Sequence, residues 1–165
     1  MTSVRYLIAA FMLSCASLAT IVVTMENVRA DDKTTVQAFY DFLSNPGSEV
    51  HANAFLAVTD AGWKSIGNYS GKNKSSEMLV AQMGGFAKLI PDLNWAVEEM
   101  LQDGNSVVVR GRATGTPNGP LFGIDGQGKS FDILTIDIHT VENDKITQSY
   151  HVEDWAGALR QLKAQ

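Results

Sequence analysis

Thiol chemistry is all but missing from this chain of 165 residues, which has a single cysteine, Cys15. That cysteine lies in an N-terminal apolar run, so the part beyond residue 30 can form no disulfide and do no thiol chemistry. Positive charge is also short: 13 basic residues stand against 18 acidic ones. Residues 1–30 hold Arg5, Arg29 and Glu26, which leaves eleven basic and seventeen acidic residues in the remainder. A surface near net −6 excludes nucleic acid and an anionic membrane as partners, since both demand clustered cations. No internal repeat, low-complexity linker or composition break divides the chain after residue 30. Its roughly 135 residues are enough for one domain with a core that needs no disulfide.

The N-terminus has a recognisable plan. Arg5 is followed by an apolar run from Tyr6 to Thr24, then Met25-Glu26-Asn27, then Val28-Arg29-Ala30 ahead of Asp31-Asp32. A basic start, an apolar middle and small residues before a cleavage point make a secretory signal. The run approaches the ~20 apolar residues of a membrane anchor, but Ser14, Cys15 and Ser17 dilute it, and Val-Arg-Ala stands where cleavage is expected. Cys15 lies mid-run, with apolar sequence continuing past it, which argues against a lipidated cysteine. The expectation is a signal peptide over 1–30 and an exported domain, periplasmic or secreted, over 31–165, with no membrane contact after cleavage.

The period of the apolar residues changes along that domain. Val36, Phe39, Tyr40 and Leu43 recur at helical spacing after Asp31-Asp32, and Asn45-Pro46-Gly47 ends the helix. A weaker helix is predicted over Ser48 to Val58. Ser75 and Glu77 open a third with the stripe Leu79, Met83, Phe86 and Ile90, closed by Pro91. From Asn94 the period becomes two, predicting strands over Asn94 to Leu101, Ser106 to Thr116, Lys129 to Val141 and Lys145 to Val152. Glu153 to Leu162 reads as a short terminal helix. Helices first and antiparallel strands second is the α+β pattern, helices laid on one face of a curved sheet to form a cone with a pocket at its open end.

Several motifs can be set aside. Gly123-Ile-Asp-Gly-Gln-Gly-Lys-Ser130 matches a phosphate-binding loop, but that loop needs a helix after it. The following Phe-Asp-Ile-Leu-Thr-Ile-Asp-Ile-His alternates as a strand. His51, His139 and His151 have no ligand spacing, and a His139/His151/Asp137 metal set is less favoured than polar residues on a wet sheet face. Asn68-Tyr-Ser and Asn73-Lys-Ser are sequons in a predicted surface loop. There is no G-x-S-x-G elbow, so a serine hydrolase is not expected.

The second half carries a resemblance. Val107-Val-Val-Arg-Gly-Arg-Ala-Thr-Gly-Thr116, Gly119-Pro-Leu-Phe-Gly-Ile124 and Gly128-Lys129 lead to Ile136-Asp-Ile-His139. Val141-Glu-Asn-Asp-Lys-Ile146, His151-Val-Glu-Asp-Trp155 and Leu159-Arg-Gln-Leu162 follow. Together these resemble the SnoaL-like polyketide (ester) cyclases of the nuclear-transport-factor-2-like superfamily, most specifically from Trp95 to Leu162. Where many members read Gly-Thr-His, this chain reads Gly115-Thr116-Pro117. The resemblance implies a cone-shaped α+β barrel, often a homodimer, with a cavity under the helices. It also implies ring closure by an intramolecular aldol reaction that uses neither metal nor organic cofactor.

Enolate formation beside a carbonyl needs a base near pH 7, and a carboxylate among apolar groups is tuned that way. Phe131, Ile133, Thr135, Asp137 and His139 share one face of their strand; Asp132, Leu134, Ile136, Ile138 and Thr140 share the other. If the first face lines the cavity, Asp137 is the acid/base and His139 its partner. If the second forms the core, Asp137 is solvated outside. Arg110 and Arg112, on one face of the preceding strand, would hold a carboxylate or enolate oxygen if they point inward, or form a solvated face if not. Trp63 and Tyr150 are candidates for a pocket wall. The ligand expected is a small apolar or carbonyl-containing molecule. The alternative to an enzyme is a module that binds such a ligand, or dimerises, without turnover.

Overall fold

The computed structural model describes residues 32–163; the expected signal peptide lies outside the described residues. Four helices pack on one open sheet of five strands. In chain order the elements are α1 (Asp32–Ser44), α2 (Glu49–Val58), β1 (Thr59–Ile66), α3 (Ser76–Leu89), β2 (Asn94–Asp103), β3 (Ser106–Gly115), β4 (Phe131–Glu142), β5 (Lys145–Glu153) and α4 (Trp155–Lys163). The sheet order is β1-β5-β4-β3-β2; every pairing is antiparallel except β1 with β5. This is the cone-type α+β fold expected from the change of period. Among the described residues no helix is long and apolar enough to cross a membrane.

Local chemistry sets the element ends. Ser48 and Ser75 cap α2 and α3, accepting from the amides of His51 and Met78, which satisfies donors a helix start leaves free. Asp154 does the same for α4 by accepting from Gly157 N at 2.7 Å. The β4–β5 hairpin turns through Asn143 and Asp144, both at positive φ, the backbone a two-residue hairpin needs and these residues tolerate. Residues 123–130 lead directly into β4, so the phosphate-loop pattern lacks the helix N-terminus that would give it meaning.

β1 is the element the sequence did not announce. Thr-Asp-Ala-Gly-Trp-Lys-Ser-Ile is poor in strand formers, and its register slips between Thr59 and Lys64. It holds its place by lying parallel to β5, with Ser65 opposite Ser149 and Ile66 opposite Tyr150.

Strand alternation decides which face is inside. In β4 the odd-numbered residues from Phe131 to Val141 are buried, while Leu134 and Ile138 are exposed. In β3 Val107, Val109, Gly111, Ala113 and Gly115 face inward. Gly111 has a packing reason: a Cβ there would lie 2.5 Å from Thr135 Oγ1. α1 lays Val36, Phe39, Tyr40, Phe42 and Leu43 over this concave face, and Phe42 stacks on Phe55 of α2 at 4.9 Å. Each such side chain withdrawn from water contributes about 1.5–3 kcal/mol. The helices thus roof the inner sheet face.

Candidate active site

Asp137 sits mid-way along β4 on the roofed face, so it faces the cavity; the reading that solvates it outside does not hold. Its register neighbours across the sheet are Val109 on β3 and His151 on β5. Next to these, His139 faces Ser149, and Thr135 faces Glu153. The inner face of β4 and β5 is therefore a ladder of polar pairs, unusual for the inside of a small domain.

Tyr40 comes down from α1 into that ladder. Its hydroxyl donates to Asp137 Oδ2 at 2.8 Å and lies 3.0 Å from His139 Nε2. His139 Nδ1 is 2.8 Å from Ser149 Oγ, which accepts from Trp63 Nε1 at 3.0 Å. The proton inventory fixes every direction. Burial, with the nearby His151 charge a smaller cause, pushes the His139 pKa down to about 3, so the ring is neutral and has one N–H. Since the tyrosine proton goes to Asp137, the tyrosine oxygen must accept from His139 Nε2–H. His139 Nδ1 then accepts from the Ser149 hydroxyl. The hydrogen bonds run Trp63 to Ser149 to His139 to Tyr40 to Asp137, with each donor matched to an acceptor.

Asp137 is 3% exposed, and burial is the main reason its pKa is pushed up to about 7. The Tyr40 hydrogen bond works against that rise, the Glu153 charge adds to it, and the His151 charge reduces it. Removal of water from the carboxylate outweighs the single hydrogen bond. Burial and the Asp137 charge together hold the Tyr40 phenol well above its ordinary range, so it stays a donor.

Asp137 opens onto a pocket of about 560 Å³, counting its mouth. Phe39, Leu43, Met83, Phe86, Trp95 and Trp155 make its apolar walls, and its polar lining includes Ser65, Lys74, Ser149, His151 and Glu153. Trp155 anchors an aromatic cluster, with Phe86, Trp95, Phe122 and Phe131 at centroid distances of 5.5 to 6.2 Å. Flat walls with a few convergent polar groups suit a planar organic molecule.

The other expected site residues fall elsewhere. Arg110 and Arg112 are on the outer face of β3, because the same alternation that turns Val109 and Gly111 inward turns them out. Arg110 pairs with Glu99 at 3.3 Å, and Arg112 holds Asp132 through Nε at 2.7 Å and through a second contact from Nη2. Neither can reach the cavity, so the inward-pointing arginine expectation is corrected. Tyr150 is also outside, 39% exposed between the inward Ser149 and His151. Trp63 is 2% exposed, packed edge-on against Phe55, and it backs the hydrogen-bond chain instead of lining the pocket. His139, fully buried, reaches Asp137 only through Tyr40. Pro117 is buried in the turn after β3.

The sequence reading did not single out Tyr40, Ser65, Lys74, Ser149 or Glu153 as site residues. Period two over Lys145–Glu153 was a usable signal, since it puts Ser149, His151 and Glu153 on one face. Tyr40 read as an ordinary core residue of α1. Ser65 had no signal at all, because the strand that carries it was not legible. His139 and His151 spend both ring nitrogens on hydrogen bonds within the protein. Among the described residues no group of three His, Cys, Asp or Glu could hold a metal ion.

A family model described as SnoaL-like polyketide cyclase matches residues 34–162. Solved structures agree in fold. A Jannaschia sp. CCS1 protein assigned to the SnoaL-like polyketide cyclases is 21% identical, with 81% of this chain and 92% of that one covered, at a TM-score of 0.69. IdmH of Streptomyces antibioticus is 17% identical over 82% of this chain and 100% of its own, with a TM-score of 0.70. TsrD of Streptomyces laurentii is 20% identical over 81% and 95%, with a TM-score of 0.68. No curated protein matches the chain.

Proposed function

The chain belongs to the SnoaL-like polyketide cyclase family, and from that premise we propose that it closes or rearranges a small carbonyl compound by acid/base chemistry at Asp137, without a cofactor. The observation that carries this reading is one carboxyl on the roofed face, tuned to about 7 and opening onto aromatic walls. As a carboxylate, Asp137 takes a proton from a carbon beside a carbonyl, and the C–H electron pair becomes an enolate. The enolate carbon attacks a second carbonyl of the same molecule, a C–C bond forms, and the new alkoxide takes the proton back from Asp137. Reactant and product are isomers, so nothing else is consumed. A base with a pKa near the working pH is suited to both halves of that exchange.

The test is α-proton exchange. In D2O, the protein should accelerate deuterium incorporation into aryl β-keto esters, followed by NMR, and Asp137→Asn should lower that rate by about 10²–10⁴-fold. Equal rates for the two proteins would end the proposal.

The alternative, a binding or dimerising module, draws support from a different place. Leu134, Ile138, Tyr150 and Val152 form an exposed apolar patch on the outer sheet face, larger in character than scattered surface residues. A homodimer through that face is compatible with catalysis inside the cone. Export, as the leader sequence suggests, belongs to the same proposal: exported protein should begin at Asp31 on N-terminal sequencing, and a start at Met1 or a membrane-bound form would refute it.

A further inference from the structure

Beside Asp137, in the same pocket, lies a second constellation that the aldol reading does not use. His151 Nδ1 is 2.7 Å from Glu153 Oε1, and His151 Nε2 is 2.9 Å from Ser65 Oγ. All three residues line the pocket. A carboxylate only accepts, so Glu153 fixes the imidazole proton on Nδ1, and in the neutral ring Nε2 is left as an acceptor. The Ser65 hydroxyl must then donate to Nε2. This is the order of nucleophile, base and orienting acid, which is recognised by geometry and role instead of by sequence position.

The surroundings hold the three in register. Ser65 is on β1 and the other two are on β5, two residues apart on one face of the strand. Gly67 lies over the His151 ring so closely that a Cβ there would sit 2.9 Å from Cε1. Lys74 forms an antiparallel bridge with Ser65, with backbone hydrogen bonds of 3.0 and 3.2 Å in the two directions. Directly bridged residues project to the same side, and Lys74 lines the pocket beside Ser65.

We propose that Ser65, His151 and Glu153 form a nucleophilic relay that gives this pocket a second activity, acyl transfer from small esters with a flat, apolar acyl or alcohol part. Ser65 Oγ attacks the ester carbonyl as its proton passes to His151 Nε2, and an Oγ–C bond forms. The tetrahedral oxyanion is held by the Lys74 ammonium. It collapses, the C–O bond to the alcohol breaks, and the leaving oxygen takes the proton from His151. Water then attacks the acyl-serine by the same route and releases the acid. The Asp137 reading is not needed for any of these steps.

The experiment is covalent labelling with a fluorophosphonate at pH 8, read by intact mass and peptide mapping. A single adduct should map to Ser65 on the unaltered protein, be absent in Ser65→Ala, and form at least about 10²-fold more slowly in His151→Asn. p-Nitrophenyl acetate should give a burst of one nitrophenolate per chain. An adduct elsewhere, or none at millimolar probe, overturns the proposal and leaves the three residues as a tie between β1 and β5. Mapping on the unaltered protein decides the matter even if a variant fails to fold. An adduct is not a product of α-proton exchange, so the two activities can fail separately.

Discussion

Tyr40 Oη and Asp137 Oδ2, 97 residues apart in the chain, meet at 2.8 Å under the roof of the sheet. The bond partly offsets the cost of holding a carboxylate in a dry place, and it joins α1 to the strand that carries the proposed base. Tyr40→Phe should therefore push the Asp137 pKa further up, because the hydroxyl is the largest influence lowering it. Any rate that depends on the ionised carboxylate should need higher pH, with its profile displaced to the alkaline side. The change also leaves the His139 Nε2–H without its acceptor, at a cost of about 1–3 kcal/mol. An unchanged profile would show that the base is another group.

Two buried groups give opposite pH dependences of stability. Asp137 rises from 3.8 to about 7 on folding, so the folded state holds more protons in that window, and its contribution falls as pH rises. His139 drops from 6.5 to about 3, so the unfolded state holds more protons there, and its contribution rises with pH. Each slope is about 1.4 kcal/mol per unit, and between pH 4 and 6.5 they cancel. Asp137→Asn should uncover the His139 slope, so that the variant gains stability with rising pH where the parent is flatter. Urea denaturation of both proteins across that range measures the difference; parallel curves would mean that Asp137 titrates normally.

Gly67→Ala should disturb His151 specifically. The added carbon must move a ring held at both nitrogens, so the Ser65 or Glu153 hydrogen bond lengthens. Imidazole proton shifts of His151 by NMR should change while those of His51, far off at the start of α2, stay fixed. A His151 signal that does not move would show that the loop yields instead of the ring.

On the outer face, Ile138→Asp puts a charge in the centre of the apolar patch without touching the cavity. If the patch joins two copies, sedimentation should show a dimer for the parent and a monomer for the variant. Stability of the monomer should change by no more than about 0.5 kcal/mol, as for other exposed positions. A parent that sediments as a monomer at micromolar concentration refutes the homodimer.

The layout of the fold was legible because it rests on periodicity. The change from 3.6 to 2 near Asn94 places three helices before four strands, and the caps Ser48 and Ser75 sit at the expected helix starts. What escaped was whatever the pattern alone could not state. β1 is poor in strand-forming residues and owes its conformation to β5, so Ser65 could not be foreseen. The two faces of β4 were equally apolar on paper: Leu134, Ile136 and Ile138 make as good a core as Phe131 and Ile133. Packing of α1 settles the choice, since Phe39 and Tyr40 need the Asp137 face beneath them. Arg110 and Arg112 then had to be outside, because they alternate with Val109 on the adjoining strand.

The hydrogen-bonded file from Trp63 to Asp137 polarises but cannot conduct. A proton relay needs each member to accept at one side as it gives at the other, and an indole N–H only gives. Whatever proton Asp137 gains therefore has no exit through the protein interior, and the open side of the carboxyl faces the pocket. Every hydrogen that Asp137 takes or gives, from a ligand carbon or from solvent, passes through that one opening. In D2O the carboxyl is loaded there with deuterium, and deuterium is what it returns to carbon.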